Sequence, residues 1–551
     1  MKNRIACLVF TIVGFASAAS AQPVKYNWGN PADLNWNYTS YNWSGSKWQD
    51  GNTAVFGGSG GAIKVTDEIK LSVRQRTPVA DNGGLQVNGG TWIFTGTTIG
   101  FTGADDNMIT LNSATNLTIF NFLQGTNNSM HFNVNSGVLN LYGGATAGVQ
   151  QTSGRSNAQM WFNSNGTVNL ISGVYRSDFT SIGSTLNINN AQFYARSYTI
   201  TRNVTMDDFN AVMSQFDSTG INSNKIGQSN DGFTFTLQRG FADWSAGATI
   251  MYGNNATTNI SNQAKLLVTG GTMRLSGTGV VLGWAELAGA RGNASFEIRG
   301  GLVETTGVTF GMAKDASASF DSSTGARMVV SGGTLNIGAN GINKGSTAMA
   351  RNTIELNDGV IGATADWSSN MDMTIYNNAT FTPNDKQITM HGTLSGVGGL
   401  QVMGGGVMML ASLNTYQGGT YVFNAATLTV DTTGGLTFYL GNDGISNRLG
   451  GYDGTANLNG SIVINLDNAA NTGEWLLIDD SNLTLSYGDD FTVSGWNQVD
   501  GNTWTYNDYT FSNLGGKGVV TAIPEPSAWL LLAVGIGLVV AFKSRWRRHR
   551  I

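Results

Sequence analysis

Three stretches of the chain repeat one pattern, in which a glycine pair separates two short apolar segments: LVTGGTMRL (267–275), FEIRGGLV (296–303) and MVVSGGTLNI (328–337). The first glycines of these pairs, Gly270, Gly300 and Gly332, recur with a period of about 30 residues, and Gly359 continues the series. A period in this range is typical of proteins built from stacked structural repeats.

Apolar and polar residues alternate within each stretch, which predicts short strands with one buried face. Glycine pairs allow positive φ and close backbone approach, so they favour the corner of a coil over a flat hairpin. Stacked coils would fill an axial core, and asparagine-rich turns such as 187–190 would form side-chain ladders between coils. The sequence therefore predicts an all-β fold, a right-handed parallel β-helix (β-solenoid) with N- and C-terminal β caps. A β-propeller, with blades of about 40 to 50 residues, and a series of β-sandwiches are the alternatives.

The composition is that of a folded chain with few charges. Of 551 residues 75 are glycine and 41% are hydrophobic, which is enough for a continuous core. Only 12% are charged, about half the usual share of roughly 25%. The net charge of −5 offers no excess of cations for phosphates, so we expect no nucleic-acid partner.

Residues 1–21 have the pattern of a secretory signal peptide. A basic start and an apolar run are followed by small residues that end with Ala19 and Ala21, so cleavage is expected before Gln22. The alternative is a buried N-terminal strand or helix. The only cysteine, Cys7, would leave with the signal, so no disulfide or thiolate site is expected in the mature chain.

The C-terminal segment also has a distinct sequence pattern. Residues 527–542 form an uncharged run, and five basic residues follow it. A helix of that length spans about 24 Å, against a hydrocarbon core of about 30 Å, and the basic tail would stay in the cytoplasm. The alternative is a core helix with a basic tail. Immediately before the run, Pro524, Glu525 and Pro526 keep the backbone extended.

Together the three parts of segment 522–551 resemble the PEP-CTERM sorting signal, which an exosortase recognises. The resemblance implies export by Sec-type machinery of a Gram-negative bacterium and transient anchoring in the inner membrane by helix 527–542. It also implies a recognition role for Pro524, Glu525 and Pro526, followed by processing and release to the cell surface. Permanent anchoring by an uncleaved helix is the alternative.

A second resemblance lies in residues 396–430. A strand that begins Gly-Gly-Leu, the triplet Asn414-Thr-Tyr416, the corner Gly418-Gly-Thr420 and a final Leu-Thr-Val strand are similar to the autotransporter-associated β-strand repeat. This resemblance implies a β-helical scaffold for an exported protein.

The domain organisation follows from these patterns. We expect an aromatic N-terminal cap at 22–60, β-helix repeats at 61–430 and a C-terminal β region at 431–521. The tryptophans of the first segment have two interpretations, core packing or stacking on sugar rings, and these are Trp28, Trp36, Trp43 and Trp48.

Few residues suggest catalysis. His131 and His391 are isolated in sequence and do not form a metal motif. Adjacent aspartates, such as those at 479–480 and 489–490, would point to opposite sides of a strand, which favours solvated turns. Met390-His-Gly392 resembles the His-Gly element of pectin-cleaving β-helix enzymes, but the other elements of that family are missing. We therefore predict no catalytic residue, metal or cofactor.

The sequence thus predicts a non-enzymatic exported protein, a structural or adhesive element of the cell surface or extracellular matrix. Its expected partners are an exosortase, the Sec-type export machinery, the membrane during sorting, and extracellular polysaccharide held by many weak polar contacts. Two alternatives are a polysaccharide lyase or hydrolase on the same scaffold and a carbohydrate-binding protein that uses the N-terminal tryptophans.

Overall fold

The structure is a computed structural model. It describes the following residues: 25–29, 35–38, 42–43, 46–47, 49, 53–57, 60–65, 69–71, 84–96, 99–101, 107–112, 115–126, 130–147, 159–163, 166–182, 185–189, 191–200, 204–207, 209–213, 224–228, 234–244, 247–253, 263–442, 444–523, 536, 538 and 539.

Most of the described chain forms strands. The first part contains β1 Lys25–Asn27, β2 Asn35–Trp36, β3 Thr53–Gly57, β4 Gly60–Val65, β5 Ile69–Leu71, β6 Leu85–Asn88, β7 Thr91–Gly96, β8 Ile99–Phe101, β9 Asn107–Leu111, β10 Thr115–Thr126, β11 Met130–Val134, β12 Gly137–Ala147, β13 Gln159–Asn163, β14 Thr167–Ile182, β15 Thr185–Asn189, β16 Ala191–Ile200, β17 Val204–Asp207, β18 Phe209–Met213, β19 Asn224–Gln228, β20 Thr234–Leu237, β21 Gly240–Trp244 and β22 Ala248–Gly253. The middle part contains β23 Gln263–Val268, β24 Thr272–Leu275, β25 Val280–Ala285, β26 Asn293–Ala313, β27 Gly325–Lys344, β28 Arg351–Leu356, β29 Val360–Ala363, β30 Trp367–Ser369, β31 Met373–Ile375, β32 Asn378–Thr382, β33 Gln387–Met390, β34 Leu394–Ser395, β35 Gly399–Val402 and β36 Val407–Leu410. The last part contains β37 Leu413–Asn414, β38 Thr420–Phe423, β39 Thr427–Val430, β40 Gly435–Tyr439, β41 Leu449–Tyr452, β42 Gly454–Leu458, β43 Ser461–Asn465, β44 Gly473–Ile478, β45 Leu483–Tyr487, β46 Thr492–Val493, β47 Asn497–Asp500, β48 Thr503–Tyr506, β49 Tyr509–Ser512 and β50 Gly518–Ala522, with a 3₁₀ turn at Leu514–Gly516.

The strands stack in three parallel columns. Each coil of the chain adds one strand to each column, and long strands such as β26 and β27 turn through the corners to serve all three. Column 1 runs β2, β4, β7, β10, β12, β14, β15, β17, β20, β23, β26, β27, β28, β31 and β34, and the four-stranded sheet β37, β40, β43 and β46 continues it. Column 2 runs β5, β8, β10, β12, β14, β16, β18, β21, β24, β26, β27, β29, β32, β35, β38, β41 and β44. Column 3 runs β1, β3, β6, β9, β11, β13, β14, β16, β19, β22, β25, β26, β27, β30, β33, β36, β39, β42 and β45.

This arrangement is that of a parallel β-solenoid, and it confirms the all-β prediction. In the repeat region Leu266 pairs with Phe296 and Phe296 with Met328, so each coil there takes about 30 residues. The coils that follow are shorter, because the paired residues Leu356 and Ile375 are much closer together along the chain. The length returns to about 30 residues where Thr420 pairs with Leu449.

The main apolar core of the described residues runs between the columns. In column 1 the inward residues of successive coils lie above one another, and Val268, Ile298, Val330, Leu356 and Ile375 form one such row. All five are buried. Each of these side chains is therefore shielded from water, which stabilises the fold by about 25 cal/mol per Å² of buried apolar surface.

The glycine pairs make the corners that the sequence predicts. Gly301 has φ +73°, and a Cβ built on it would lie 2.4 Å from the main-chain oxygen of Gly271 in the coil before. Gly333 has φ +64° and is similarly close to the backbone of Gly300. A side chain would need both a left-handed backbone and a wider spacing between coils, so glycine is required here.

Asparagine ladders connect neighbouring coils, as the sequence predicts. On the outer face of column 1 the Asn187 amide donates to Asn169 at 2.8 Å, and Asn169 donates to Asn140 at 2.6 Å. A second ladder joins Asn135 through Asn112 to Asn88. Each amide can donate to one coil and accept from the next, so the ladder repeats along the stack.

The ends of the solenoid differ from the predicted domain boundaries. Segment 22–60 already contains strands β1, β2, β3 and the start of β4, which are paired in parallel with later coils. The coils also continue past 430 as far as β46, so the predicted boundary at 430 falls inside the solenoid. Among the described strands, antiparallel pairing is confined to the series β47 to β50 and to the pair of β50 with β44, which closes column 2.

Both predicted sorting segments lie almost wholly outside the described residues. Residues 1–21 and 524–526 are not among them, and of the predicted span 527–542 only Ile536, Leu538 and Val539 are described; they are helical and exposed. Within the described part of the chain, no helix has the length and apolar character needed to cross a membrane.

Candidate functional site on the outer face of column 1

The structure puts the N-terminal tryptophans inside the first coils. Trp28, Trp36 and Trp43 are buried, and their rings pack on one another and on Phe56 with centroids 5.0 to 5.4 Å apart. Buried rings have no face open to a sugar, so these three residues are placed as core and not as the stacking surface that the sequence allowed. Trp48 lies outside the described residues, as do Ala19, Ala21, Gln22, Pro524, Glu525 and Pro526.

The residues considered above for catalysis lie on different coils, with Asp479 and Asp480 after β44 and His391 after β33. Asp479 and Asp480 lie in a loop after β44, where Asp479 accepts a hydrogen bond from the Ser481 main-chain nitrogen at 3.1 Å. His391 is exposed at a corner while its neighbour Met390 points into the core. Among the residues that the structure describes, no three His, Cys, Asp or Glu side chains are grouped to hold a metal ion.

Charges collect instead on the outer face of column 1, at Lys265, Glu297, Arg299, Arg327 and Glu355, which we call the charged cluster. These residues lie on β23, β26, β27 and β28, and the alternation that points Phe296 and Ile298 inward points Glu297 outward. Stacking places Lys265 and Arg327 in one register row and Glu297 and Glu355 in the next outward row, so that the side chains meet diagonally across neighbouring coils.

Glu297 is the centre of the charged cluster. Its carboxylate lies 2.7 Å from Lys265 Nζ, 2.7 Å from Arg299 Nη2 and 3.3 Å from Arg327 Nη1. The Ser295 hydroxyl donates a further hydrogen bond at 3.1 Å, and the side chain is only 2% exposed. A carboxylate removed from water in this way needs such partners, because an unpaired buried charge is costly.

Two opposing effects set the pKa of Glu297. Burial raises it, but hydrogen bonds from Lys265 and Ser295 and the positive charges of Lys265 and Arg299 outweigh burial, so the pKa is lowered from its ordinary value of 4.5. Glu297 is therefore ionised at neutral pH, and an ionised carboxylate cannot deliver a proton as a general acid.

Arg327 links the centre of the cluster to the next coil. Its guanidinium makes a two-pronged contact with Glu355, with Nε to Oε1 at 2.7 Å and Nη2 to Oε2 at 2.6 Å. This fork is the strong geometry for an arginine–carboxylate pair, and it raises the pKa of Arg327. Arg327 is therefore held in one orientation beside the cleft described next.

An open cleft of about 380 Å³ borders the charged cluster. It runs along the stack, because two rows of register partners line it: Gln263, Asn293, Gly325 and Arg351 in one row, and Arg327 and Thr353 in the other, with Ala294 and Ala326 between them. The Arg351 guanidinium donates to the main-chain oxygen of Ser323, and Asn293 Oδ1 accepts from Gly325 N at 3.0 Å.

Sequence reasoning missed this site. Each of its residues is an ordinary outward polar position of a strand when considered alone. The signal that was present is spacing, since Lys265, Glu297, Arg327 and Glu355 follow one another at regular intervals close to the coil length of the same region. A charge that recurs at the repeat period predicts a contact between coils.

A second feature of the outer surface is an aromatic patch, formed by Tyr421, Phe423 and Tyr452 on column 2. The rings of Tyr421 and Phe423 are stacked 6.1 Å apart with an interplanar angle of 16°. Tyr452 is the register partner of Phe423 and is 66% exposed. Exposed aromatics are therefore found on late coils, whereas the described N-terminal tryptophans are mainly core.

No protein-family model matches the chain, and no curated protein matches it in sequence. The resemblances to the PEP-CTERM signal and to the autotransporter-associated repeat therefore stay predictions that rest on the residues quoted above.

Proposed function

We propose that the protein is an exported structural or adhesive β-solenoid of the cell surface or extracellular matrix. The observation that carries this proposal is the continuous stack of three parallel columns from β1 to β46, closed by an antiparallel cap. Such a stack makes a long surface on which polar groups recur coil after coil, and the asparagine ladders and the charged cluster are two examples. Many weak contacts along one rod give avidity without a deep pocket.

The finer architecture that we propose is a right-handed β-helix. Parallel strands joined by a crossover connection are right-handed in about 98% of cases, which supports this hand. Because the chain passes through all three columns in the same order in every coil, the handedness of the coil is the one feature of this architecture that is left to propose.

The proposed route to the surface uses both ends of the chain. A signal peptide at 1–21 would be removed before Gln22, helix 527–542 would hold the chain in the inner membrane, and an exosortase would act near Pro524, Glu525 and Pro526. The support is the order of an extended Pro-Glu-Pro segment, an apolar run and a basic end.

Mass spectrometry of the protein recovered from the surface of a Gram-negative host that carries an exosortase tests this route. We expect a mature form that begins at Gln22 and ends within 524–526. Glu525→Ala is expected to keep the protein in the membrane fraction, whereas Glu474→Ala, at an exposed position of β44, leaves sorting unchanged. A full-length protein that stays in the cytosol would contradict the proposal.

We further propose that the solenoid acts without catalysis. The lowered pKa of Glu297 and the fork between Arg327 and Glu355 support a structural role for the two carboxylates of the charged cluster. Incubation of the full chain with acidic and neutral polysaccharides is expected to release no new reducing ends or unsaturated products. Product formation that Glu297→Gln abolishes would replace this proposal with a polysaccharide lyase or hydrolase.

A further inference from the structure

We propose that the cleft beside the charged cluster binds the carboxylate-bearing sugars of an acidic polysaccharide. The inference deepens the proposed adhesive function, on which it rests, by naming the class of glycan and the coils that hold it.

The charge of the cleft is the first argument. Its lining contains two guanidinium groups, those of Arg327 and Arg351, and no carboxylate. The charged cluster together with Arg351 carries four cations and two anions, a local surplus of two positive charges on a chain whose net charge is −5. A positive site on an acidic chain is complementary to an anion.

The state of Arg351 is the second argument. Its guanidinium donates to a neutral carbonyl oxygen, and no carboxylate of the described chain lies within 4.0 Å of it as an ion-pair partner. A guanidinium has five donors in a fixed fork, so Arg351 keeps donors for a carboxylate. Arg327, by contrast, is held by Glu355 and contributes mainly its charge.

The shape and remaining lining of the cleft are the third argument. Gln263, Asn293 and Thr353 are neutral groups that can exchange hydrogen bonds with hydroxyls. Ala294, Gly325 and Ala326 have a methyl side chain or none, so they leave space for a ligand in the cleft. The volume of about 380 Å³ is at the small end of ligand sites, which run from about 300 to 1,000 Å³. Because the cleft is open and follows the stack across four coils, a linear polymer can lie along it.

These features favour an acidic glycan over other polymers. A duplex nucleic acid is bound through many phosphates and needs cations along its whole path, whereas the surplus here is two charges. A neutral glycan would leave Arg351 without an anionic partner, and the aromatic patch is the better surface for it.

Binding of polygalacturonate, dextran and duplex DNA to the purified full chain, measured by calorimetry, tests the inference. We expect polygalacturonate to bind and the other two to bind at least tenfold more weakly. Equal binding of dextran would locate the contact on a surface such as the aromatic patch, and equal binding of DNA would reduce the site to a general polyanion contact. Either result would overturn the proposal.

Variants make the test specific to the cleft. Arg351→Gln is expected to weaken polygalacturonate binding about tenfold, which corresponds to one lost charged hydrogen bond. Arg274→Gln is the matched control, because that arginine pairs with Glu304 on column 2, and it should leave binding unchanged. Thr353→Glu adds a carboxylate at an exposed position of the lining and should also weaken binding, whereas Thr353→Gln, of similar shape, should not.

The results separate the inference from the proposed function. If Arg351→Gln and Thr353→Glu bind polygalacturonate as the parent does, the cleft is not the site, whatever the location of the protein. If the parent reaches the cell surface but does not bind polygalacturonate, only the glycan assignment is wrong. Circular dichroism of each variant checks that the β fold is retained.

Discussion

Replacing Glu297 with glutamine tests whether the charged cluster stabilises the stack. The change keeps the size of the side chain but removes a charge that three cations share, at 2.7 Å from Lys265, 2.7 Å from Arg299 and 3.3 Å from Arg327. Breaking a fully buried ion pair costs roughly 3–5 kcal/mol. The three cations here are partly exposed and can be rehydrated, so we expect about 2–3 kcal/mol.

The matched control lies on the same strand. Glu304 on β26 pairs with Arg274 at 3.0 Å, but its side chain is 29% exposed, against 2% for Glu297, and that of Arg274 is 47% exposed. Glu304→Gln should therefore cost about 0–1 kcal/mol. Glu297→Gln and Glu304→Gln remove the same charge from the same strand, so the difference between them reports the burial of the first carboxylate.

Hydrogen–deuterium exchange of peptides from β26 is the suitable assay, because a long repeat array need not unfold in one step. A loss of about 2 kcal/mol speeds exchange of its protected amides by about 30-fold. Similar exchange in Glu297→Gln and Glu304→Gln would refute the reasoning.

The same comparison has a pH dependence whose direction is set by the lowered pKa of Glu297. In the unfolded chain the carboxyl has its ordinary pKa near 4.5, and in the folded protein the pKa is lower. The stabilisation is thus complete above pH 4.5 and is lost as the pH falls through the folded value. The exchange difference between parent and Glu297→Gln should shrink in that acid range and stay constant at neutral pH.

Two further predictions concern the corners and the ladders. Gly396→Ala should lower the thermal midpoint more than Gly495→Ala. Both glycines have positive φ, but only at Gly396 would a Cβ meet a neighbouring atom, the Ile375 main-chain oxygen at 2.3 Å. Equal shifts would show that backbone conformation alone decides the cost. Asn169→Ala should lower the free energy of unfolding, measured with denaturant, by about 1–3 kcal/mol, because it removes one ladder hydrogen bond on each side. Asn468→Ala, at an exposed turn, should lower it by less than about 0.5 kcal/mol. Equal losses would count against a stabilising role of the ladder.

Much of the scaffold could be predicted from the sequence, and glycine explains both the success and its limit. The pairs beginning at Gly270, Gly300 and Gly332 mark corners that need positive φ. Their positions therefore predict both the strands between them and the length of a coil. Beyond them, corners are made by other residues with positive φ, such as Asp358 at +63° and Asp453 at +55°. Gly359, next to Asp358, continues the glycine series, but near Asp453 the pair Gly450 and Gly451 lies within strand β41 and not at the corner. The glycine pattern therefore does not mark where the coils stop, and the solenoid was predicted to end too early.

The candidate site could be predicted only in part, for a different reason. Glu297 is buried only because Lys265 and Arg327 from the neighbouring coils cover it, and their approach depends on the register of three strands. The spacing of these charges indicates a contact between coils, but it does not show that Glu297 is buried, because charges at outward positions are usually solvated. The N-terminal tryptophans are the opposite case, in which candidate surface residues are found in the core. An aromatic-rich sequence fits either a binding surface or a core, and only the packing of the first coils distinguishes the two.

The parallel, in-register stack is the central claim, and cysteine cross-linking measures it most directly. Thr389, Met409 and Thr429 are partly exposed register partners on β33, β36 and β39, with strands about 4.8 Å apart. In a chain with Cys7 replaced by serine, Met409→Cys with Thr429→Cys should form a disulfide within one molecule, because adjacent strands meet the Cα distance it needs. Thr389→Cys with Thr429→Cys, two strands apart, should not. Failure of the first pair, or equally ready oxidation of the second, would contradict the solenoid.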